Sequence, residues 1–142
     1  MDTLLVPGDG SPNSIRAVSH AVRMVKERVA PTEIELLHVL DPLTFTSLGL
    51  TLKDEGWQRE RPTEVDRVLA DAEKIVREAN VPYRICWRVG EPVDEIVAEA
   101  KDKPIVGIVL GTRGRGAIAN LVLGSVSSRV ACLVDVPVTL VK

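Results

Sequence analysis

The chain has 142 residues, of which 45% are hydrophobic and 27% charged, and a formal net charge of -2; this suits one globular domain over 1–142 and excludes a disordered chain. Without a basic surplus, and with only 3% aromatic residues, the composition argues against nucleic acid as a partner, double- or single-stranded. No stretch reaches the ~20 apolar residues of a membrane span, and the start, MDTLLVPGDGS, lacks the basic lead and apolar length of a signal peptide, so the expected location is the cytoplasm.

TLLVP (3–7) reads as a short buried strand. Ser11 caps a helix, with Pro12 in its first turn. Ile15, Val18, Ala21, Val22 and Val25 then recur at helical spacing until Pro31. EIELLHVL (33–40) is a second strand, broken by Asp41-Pro42. Residues 43–61 carry no clean period and read as a long connection, of the kind that is functional or disordered in compact domains. Pro62 opens a strong helix with Val65, Val68, Leu69, Ala72, Ile75, Val76 and Ala79 on one face and Asn80 as its stop.

YRICWRV (83–89) alternates as a strand does. Gly90-Glu91-Pro92 leads into a helix through residue 103, and PIVGIVLG (104–111) is apolar enough for a strand covered on both faces. A helix from Gly124 to Leu133 and the strand PVTLV (137–141) complete the chain. Strands alternating with helices imply a parallel sheet joined by right-handed crossovers: an open, doubly wound α/β domain. Ligands of such sheets bind outside the carboxyl ends of the strands, where the strand order reverses.

Few residues point to chemistry. Cys86 and Cys132 lie far apart without zinc-ligand spacing and are expected reduced and mostly buried. His20 falls in a helical pattern and His38 in a strand pattern, neither with a partner cluster, and both read as non-catalytic. The exception is GTRGRGAIANLVLGS (111–125). Gly111, Gly114 and Gly116 follow a buried strand and allow close approach of backbone to a ligand. Gly124-Ser125 sits at a helix start, where free N–H groups and partial positive charge suit phosphate. The pattern reads as a phosphate cradle in two parts, or as turn glycines alone. It is neither a P-loop nor a dinucleotide-binding GxGxxG after the first strand. The apolar Ile118, Leu121, Val122 and Leu123 between the clusters read as core packing.

The spacing Gly111-x2-Gly114-x9-Gly124-Ser125 resembles the ATP-binding signature of the universal stress protein family, G-x2-G-x9-G-[S/T], without a gap. LLVPGDGSPNSIRAV, ELLHVLDP, GEPVDEIVAEA and DVPVTLV are similar to that family's first strand and turn, second strand, third helix start and last strand. The resemblance implies five parallel strands in the order 3-2-1-4-5 and a ligand between the ends of strands 1 and 4. It implies ATP, or ADP or AMP, as cofactor. Pro7 would line the base pocket, and Val39 would offer backbone N–H and C=O to the adenine edge. Asp9 would lie near the ribose or ligate a phosphate-bound Mg²⁺, or be a plain turn aspartate. Gly111, Gly114, Gly124 and Ser125 would hold ribose and phosphates, with Ser127 adding a contact.

Arg113 stands where the family often has His, and either reaches a phosphate or faces water, as does Arg115. Gly8 departs from the family's more usual Val or Thr and gives the Asp9 turn extra freedom. The resemblance also implies a homodimer through strand 137–141. The leading functional reading is an ATP-binding sensor or regulator with little or no hydrolysis, since no general base stands beside the cradle. The alternatives are a slow ATP hydrolase or other adenine-nucleotide enzyme, and a dimeric interaction module with a vestigial site.

Overall fold

The computed structural model describes residues 1–49, 60–112 and 124–142. In chain order the elements are β1 (Asp2–Pro7), α1 (Pro12–Glu27), β2 (Thr32–Leu40), α2 (Pro42–Ser47), α3 (Thr63–Glu78), β3 (Tyr83–Val89), α4 (Pro92–Asp102), β4 (Ile105–Gly111), α5 (Ser125–Leu133) and β5 (Val138–Val141). All five strands pair in parallel, in the order β3-β2-β1-β4-β5. This is the open doubly wound sheet that the sequence implies.

Alternation along the strands builds two apolar layers. Val6, Ile34, Leu36, Leu40 and Val109 pack with α1 and α3 on one face. Leu5, Leu37, Ile105, Ile108 and Leu110 pack with α4 and α5 on the other. Right-handed crossovers require this division: α1 and α3 connect strands laid down in one direction from β1, and α4 and α5 connect strands laid down in the opposite direction. β4 begins at Ile105, after a proline that has no N–H for the ladder. α3 stops at Asn80, which takes φ +56°, a left-handed set that asparagine tolerates.

Two expectations need correction. The connection read over 43–61 starts with a helix: α2 is capped by Asp41, whose side chain accepts from Leu43 and Thr44 N–H, with Pro42 in its first turn. Six residues are too few to display a helical period, but one apolar residue, Phe45, is fully buried, and its ring lies 6.1 Å from that of Trp87 on β3. The second correction concerns the cysteines. Both are free, but Cys86 is only half-buried and Cys132 is exposed. α5 buries Ser127 and Val130, which leaves Cys132 on its outer side.

Alternation in β3 is polar on the α4 side. Arg84 pairs with Glu33 and Glu35 of β2, and Arg88 with Glu95, Glu99 and Asp102 of α4. Glu35 and Glu99 are buried among these cations. Burial pushes the Glu35 carboxyl above the usual carboxylate range, and Glu99 alongside adds to the rise. Burial would push Glu99 up as well, but hydrogen bonds from Glu35, Lys103 and Arg88 outweigh it and hold its carboxyl down at about 2. Glu35 Oε1 has no hydrogen-bond partner among the described residues. Glu35, Cys86 and Glu99 bring donor atoms within 4.8 Å of one another. Among them stands the Lys103 ammonium, bonded to Glu35 Oε2 (3.2 Å), Cys86 Sγ (3.3 Å) and Glu99 Oε1. The chain's own ammonium fills the place a metal cation would take.

Removing Lys103 would leave Glu35 with Arg84 and Glu99 with Arg88 as their remaining cations. Lys103 is one-third exposed (33%) while Glu35 is at 0%, so the loss is that of a charged hydrogen bond and not of a sole partner. Lys103→Met should lower the unfolding free energy by about 1.5–3 kcal/mol, read from urea midpoints at pH 7. Adding Glu35→Leu should recover part of that loss, because the less compensated carboxyl leaves with it.

Candidate functional site

The strand order reverses between β1 and β4, and these two parallel neighbours end at the same side of the sheet. Pro7 is the buried last residue of β1. The Gly8 N–H extends the ladder to Leu37 C=O (2.8 Å). Ser11 N–H then donates to Asp9 Oδ1 (2.9 Å), Ser14 N–H to Ser11 Oγ (3.2 Å), and Asp9 N–H to Ser14 Oγ (3.4 Å). Gly10, at φ +80°, lets the loop turn back into α1. The loop thus presents Asp9 two residues ahead of Ser11, the N-cap of α1.

Val39 lies just past the end of β1. Pairing with β1 stops at Leu37, which stands opposite Pro7. The Leu37 carbonyl points to the β1 side, where it meets Gly8, and the Leu40 carbonyl points to the β3 side, where it meets Gly90 at 3.0 Å. Backbone polar groups alternate along a strand. The N–H and C=O of Val39 therefore share the direction of Leu37, toward the side where β1 has ended. Among the described residues no strand pairs with that edge.

At the end of β4, Gly111 has a packing reason as well as an expected ligand role. A Cβ there would stand 2.5 Å from Asn13 Oδ1 and 2.9 Å from the Asn13 backbone oxygen. Asn13, buried in the first turn of α1, donates from Nδ2 to Val141 C=O (3.0 Å). It thereby joins the β1 loop to the ends of β4 and β5, a link that composition and spacing gave no reason to single out. Thr112 N–H donates to the same Val141 carbonyl (2.8 Å). The Thr112 hydroxyl is buried with no hydrogen-bond partner among the described residues.

Gly124 N–H donates to Thr112 C=O, which places Gly124 beside the end of β4, next to Gly111. Gly124 is the N-cap of α5, and among the described residues no side chain caps this helix; α3, which starts after Pro62, also has none, whereas Ser11, Asp41 and Glu91 cap α1, α2 and α4. Ser125 is exposed at the first turn. Ser127 points inward: it is 3% exposed and its hydroxyl donates to Gly111 C=O (2.6 Å), tying α5 to β4. Its proton is thereby committed within the chain. Gly114 and Arg113, expected at the cradle, lie outside the described residues, as do Arg115, Gly116 and the apolar positions 118–123.

His38, read as non-catalytic and away from the ligand loops, touches one of them: its Nδ1 lies 2.8 Å from Gly8 C=O. Its parity with Leu36 and Leu40 was the available signal, since it places the ring on the α1/α3 face level with the end of β1. His20 meets only Arg23 on α1 (3.0 Å).

The model of the universal stress protein family matches residues 1–142. The chain belongs to this family. Universal stress protein YxiE of Bacillus subtilis is 34% identical over 146 residues, covering 98% of this chain and 97% of the relative. Two solved structures share the fold throughout. A universal stress protein in complex with cAMP has a TM-score of 0.74 at 24% identity, covering 99% of this chain and 97% of its own. The universal stress protein of Archaeoglobus fulgidus in complex with dAMP has a TM-score of 0.69 at 22% identity, covering 100% and 98%.

The contact between Gly111 and Asn13 yields a direct test. Because one of the atoms a Cβ would meet is backbone, a side-chain rotation cannot relieve it. Gly111→Ala should cost about 1–3 kcal/mol by thermal unfolding of the ligand-free protein. Adding Asn13→Ala should relieve only the side-chain part.

Proposed function

We propose that this chain binds an adenine nucleotide, ATP or its ADP and AMP products, between the ends of β1 and β4, and acts as a nucleotide-dependent regulator rather than an efficient enzyme. The observation that carries this reading is the start of α5. Among the described residues its first-turn N–H groups have no side-chain cap, and they follow Gly124, whose N–H meets Thr112 C=O just past β4, beside the point where the strand order reverses. A helix N-terminus of this kind suits phosphate, and a switch point is where ligands of such sheets bind. The cAMP and dAMP complexes of related folds support an adenine nucleotide.

In this reading Pro7 lines the base pocket, and the Val39 N–H and C=O pair with adenine N1 and the exocyclic amine. Gly111, Gly114, Gly124 and Ser125 hold ribose and phosphates, with Arg113 reaching a phosphate. Ser127 acts from behind, by fixing Gly111. Asp9 accepts from the ribose or binds Mg²⁺. A single carboxylate fits Mg²⁺, which keeps several waters and completes its shell with substrate phosphates; the ion would neutralise phosphate charge there. The protein is a homodimer in this reading, joined through β5. Among the described residues that strand pairs only with β4, and all four of its residues are partly exposed. An apolar edge of this kind is one that proteins cover, and two-fold pairing of like edges closes at two copies.

Adenine offers a donor where guanine offers a carbonyl, so GTP would leave Val39 C=O facing an acceptor, at a cost of roughly 1–3 kcal/mol. ATP should raise the melting temperature well above what GTP does at equal concentration. Gly124→Val should stay folded and lose the ATP response. Equal shifts from both nucleotides would rule out the base-edge pairing.

For the dimer, light scattering should give about twice the monomer mass for a closed two-fold assembly. Val138→Lys or Val141→Lys should move the mass toward monomer with the far-UV spectrum kept. A wild type that stays monomeric at high micromolar concentration would remove the edge pairing.

A further inference from the structure

We propose that His38 is a positioning residue that sets the direction of Asp9 by holding the peptide plane between Gly8 and Asp9. The proposal deepens the adenine-nucleotide reading and rests on it for its functional meaning. A peptide plane has two polar edges. One is Gly8 C=O, 2.8 Å from His38 Nδ1. The other is Asp9 N–H, which reaches Ser14 Oγ at 3.4 Å. A carbonyl oxygen only accepts, so Nδ1 carries the proton and donates. At 2.8 Å this bond lies within the normal range, and the 3.4 Å contact lies beyond it. His38 is the stronger of the two restraints.

Gly8 is what makes the restraint necessary. The backbone there passes so close to α1 and α3 that a Cβ would stand 3.1 Å from Leu69 Cδ2 and 3.2 Å from Ser14 Oγ. Glycine fits that space, but it also frees the torsions on which the next peptide turns. A plane free to rotate would carry the Asp9 Cα with it and re-aim the carboxylate. Here β2 supplies the limit from outside the loop. His38 is half-buried, on a central strand, and beside Trp87 of β3 in register, so the tether is anchored in the sheet rather than in another loop.

The test uses the whole protein. His38→Leu removes the donor, whereas His38→Asn keeps one, because the Asn Nδ2 stands as far along the side chain as the His Nδ1. His38→Leu should weaken ATP binding about tenfold, the equivalent of one lost hydrogen bond. His38→Asn should restore affinity to within about threefold of wild type on the same scale. In an Asp9→Ala background His38→Leu should cause little further loss, since the effect travels through Asp9. Hydrogen exchange of residues 8–11 in the ligand-free protein should quicken in the Leu variant and recover in the Asn variant.

Full affinity in His38→Leu, failure of the Asn variant to rescue, or an equal loss with Asp9 already removed would each overturn the proposal. If the wild type takes up no adenine nucleotide while exchange at 8–11 follows the Leu and Asn pattern, the tether stands and the nucleotide reading falls. If exchange does not respond to either variant, the tether falls whatever the protein binds.

Discussion

The structure depends on the handedness of its crossovers. A right-handed connection lays the next parallel strand to one side with its helix on one face, and the opposite face can be covered only if the chain returns and continues the other way. Here it returns after β3, passes β2 and β1, and resumes at β4. The return covers both faces of the sheet, which lets Leu5, Leu37 and Ile108 be as buried as Val6, Leu36 and Val109 on the other side. It also sends α1 and α5, the helices that follow β1 and β4, to opposite faces of the sheet, which leaves the carboxyl ends of those two strands side by side at the switch point. Burial and ligand access are two results of the same reversal.

Most of the fold was legible because its signals are periodic and repeated. Each long helix carries an apolar stripe, and each central strand is a short apolar run bounded by Gly or Pro. What was not legible was short or depended on a partner remote in sequence. α2 has only six residues and one buried side chain; its Asp-Pro start is a capping signal, but one that also reads as a strand break. Cys132 looked like a core residue by type, but only the orientation of α5 decides exposure. Asn13 and Thr112 look like ordinary loop polar residues until the ends of β4 and β5 are placed beside α1.

The proposed site was legible by another route. Its glycine spacing resembles a family signature, and Asp9, Val39, Gly111 and Gly124 lie at or just beyond the carboxyl ends of β1, β2 and β4. The roles of two residues shift with geometry. Gly111 must be small for Asn13, whatever else approaches it. Ser127 commits its hydroxyl proton to the chain. Neither shift could be read from spacing, because spacing records which residues recur and not which neighbour each one makes room for.

The start of α5 links the site to the rest of the domain. A glycine N-cap costs a helix only a few tenths of a kcal/mol relative to a serine or aspartate cap, so Gly124 weakens α5 little. What it withholds is an acceptor for the first-turn N–H groups. A bound phosphate would supply that acceptor, and anything that binds only the folded state stabilises it by mass action. The stabilisation would fall on a particular part of the chain. α5 is tied to β4 by Ser127, and it runs directly into β5, the edge strand whose last carbonyl is held by Asn13 and Thr112. The start of α5 and the outer edge of the sheet thus share one short path of hydrogen bonds. A ligand held at the start of α5 would act on the order of that edge through this path, which is the physical requirement for a nucleotide to influence what the edge pairs with.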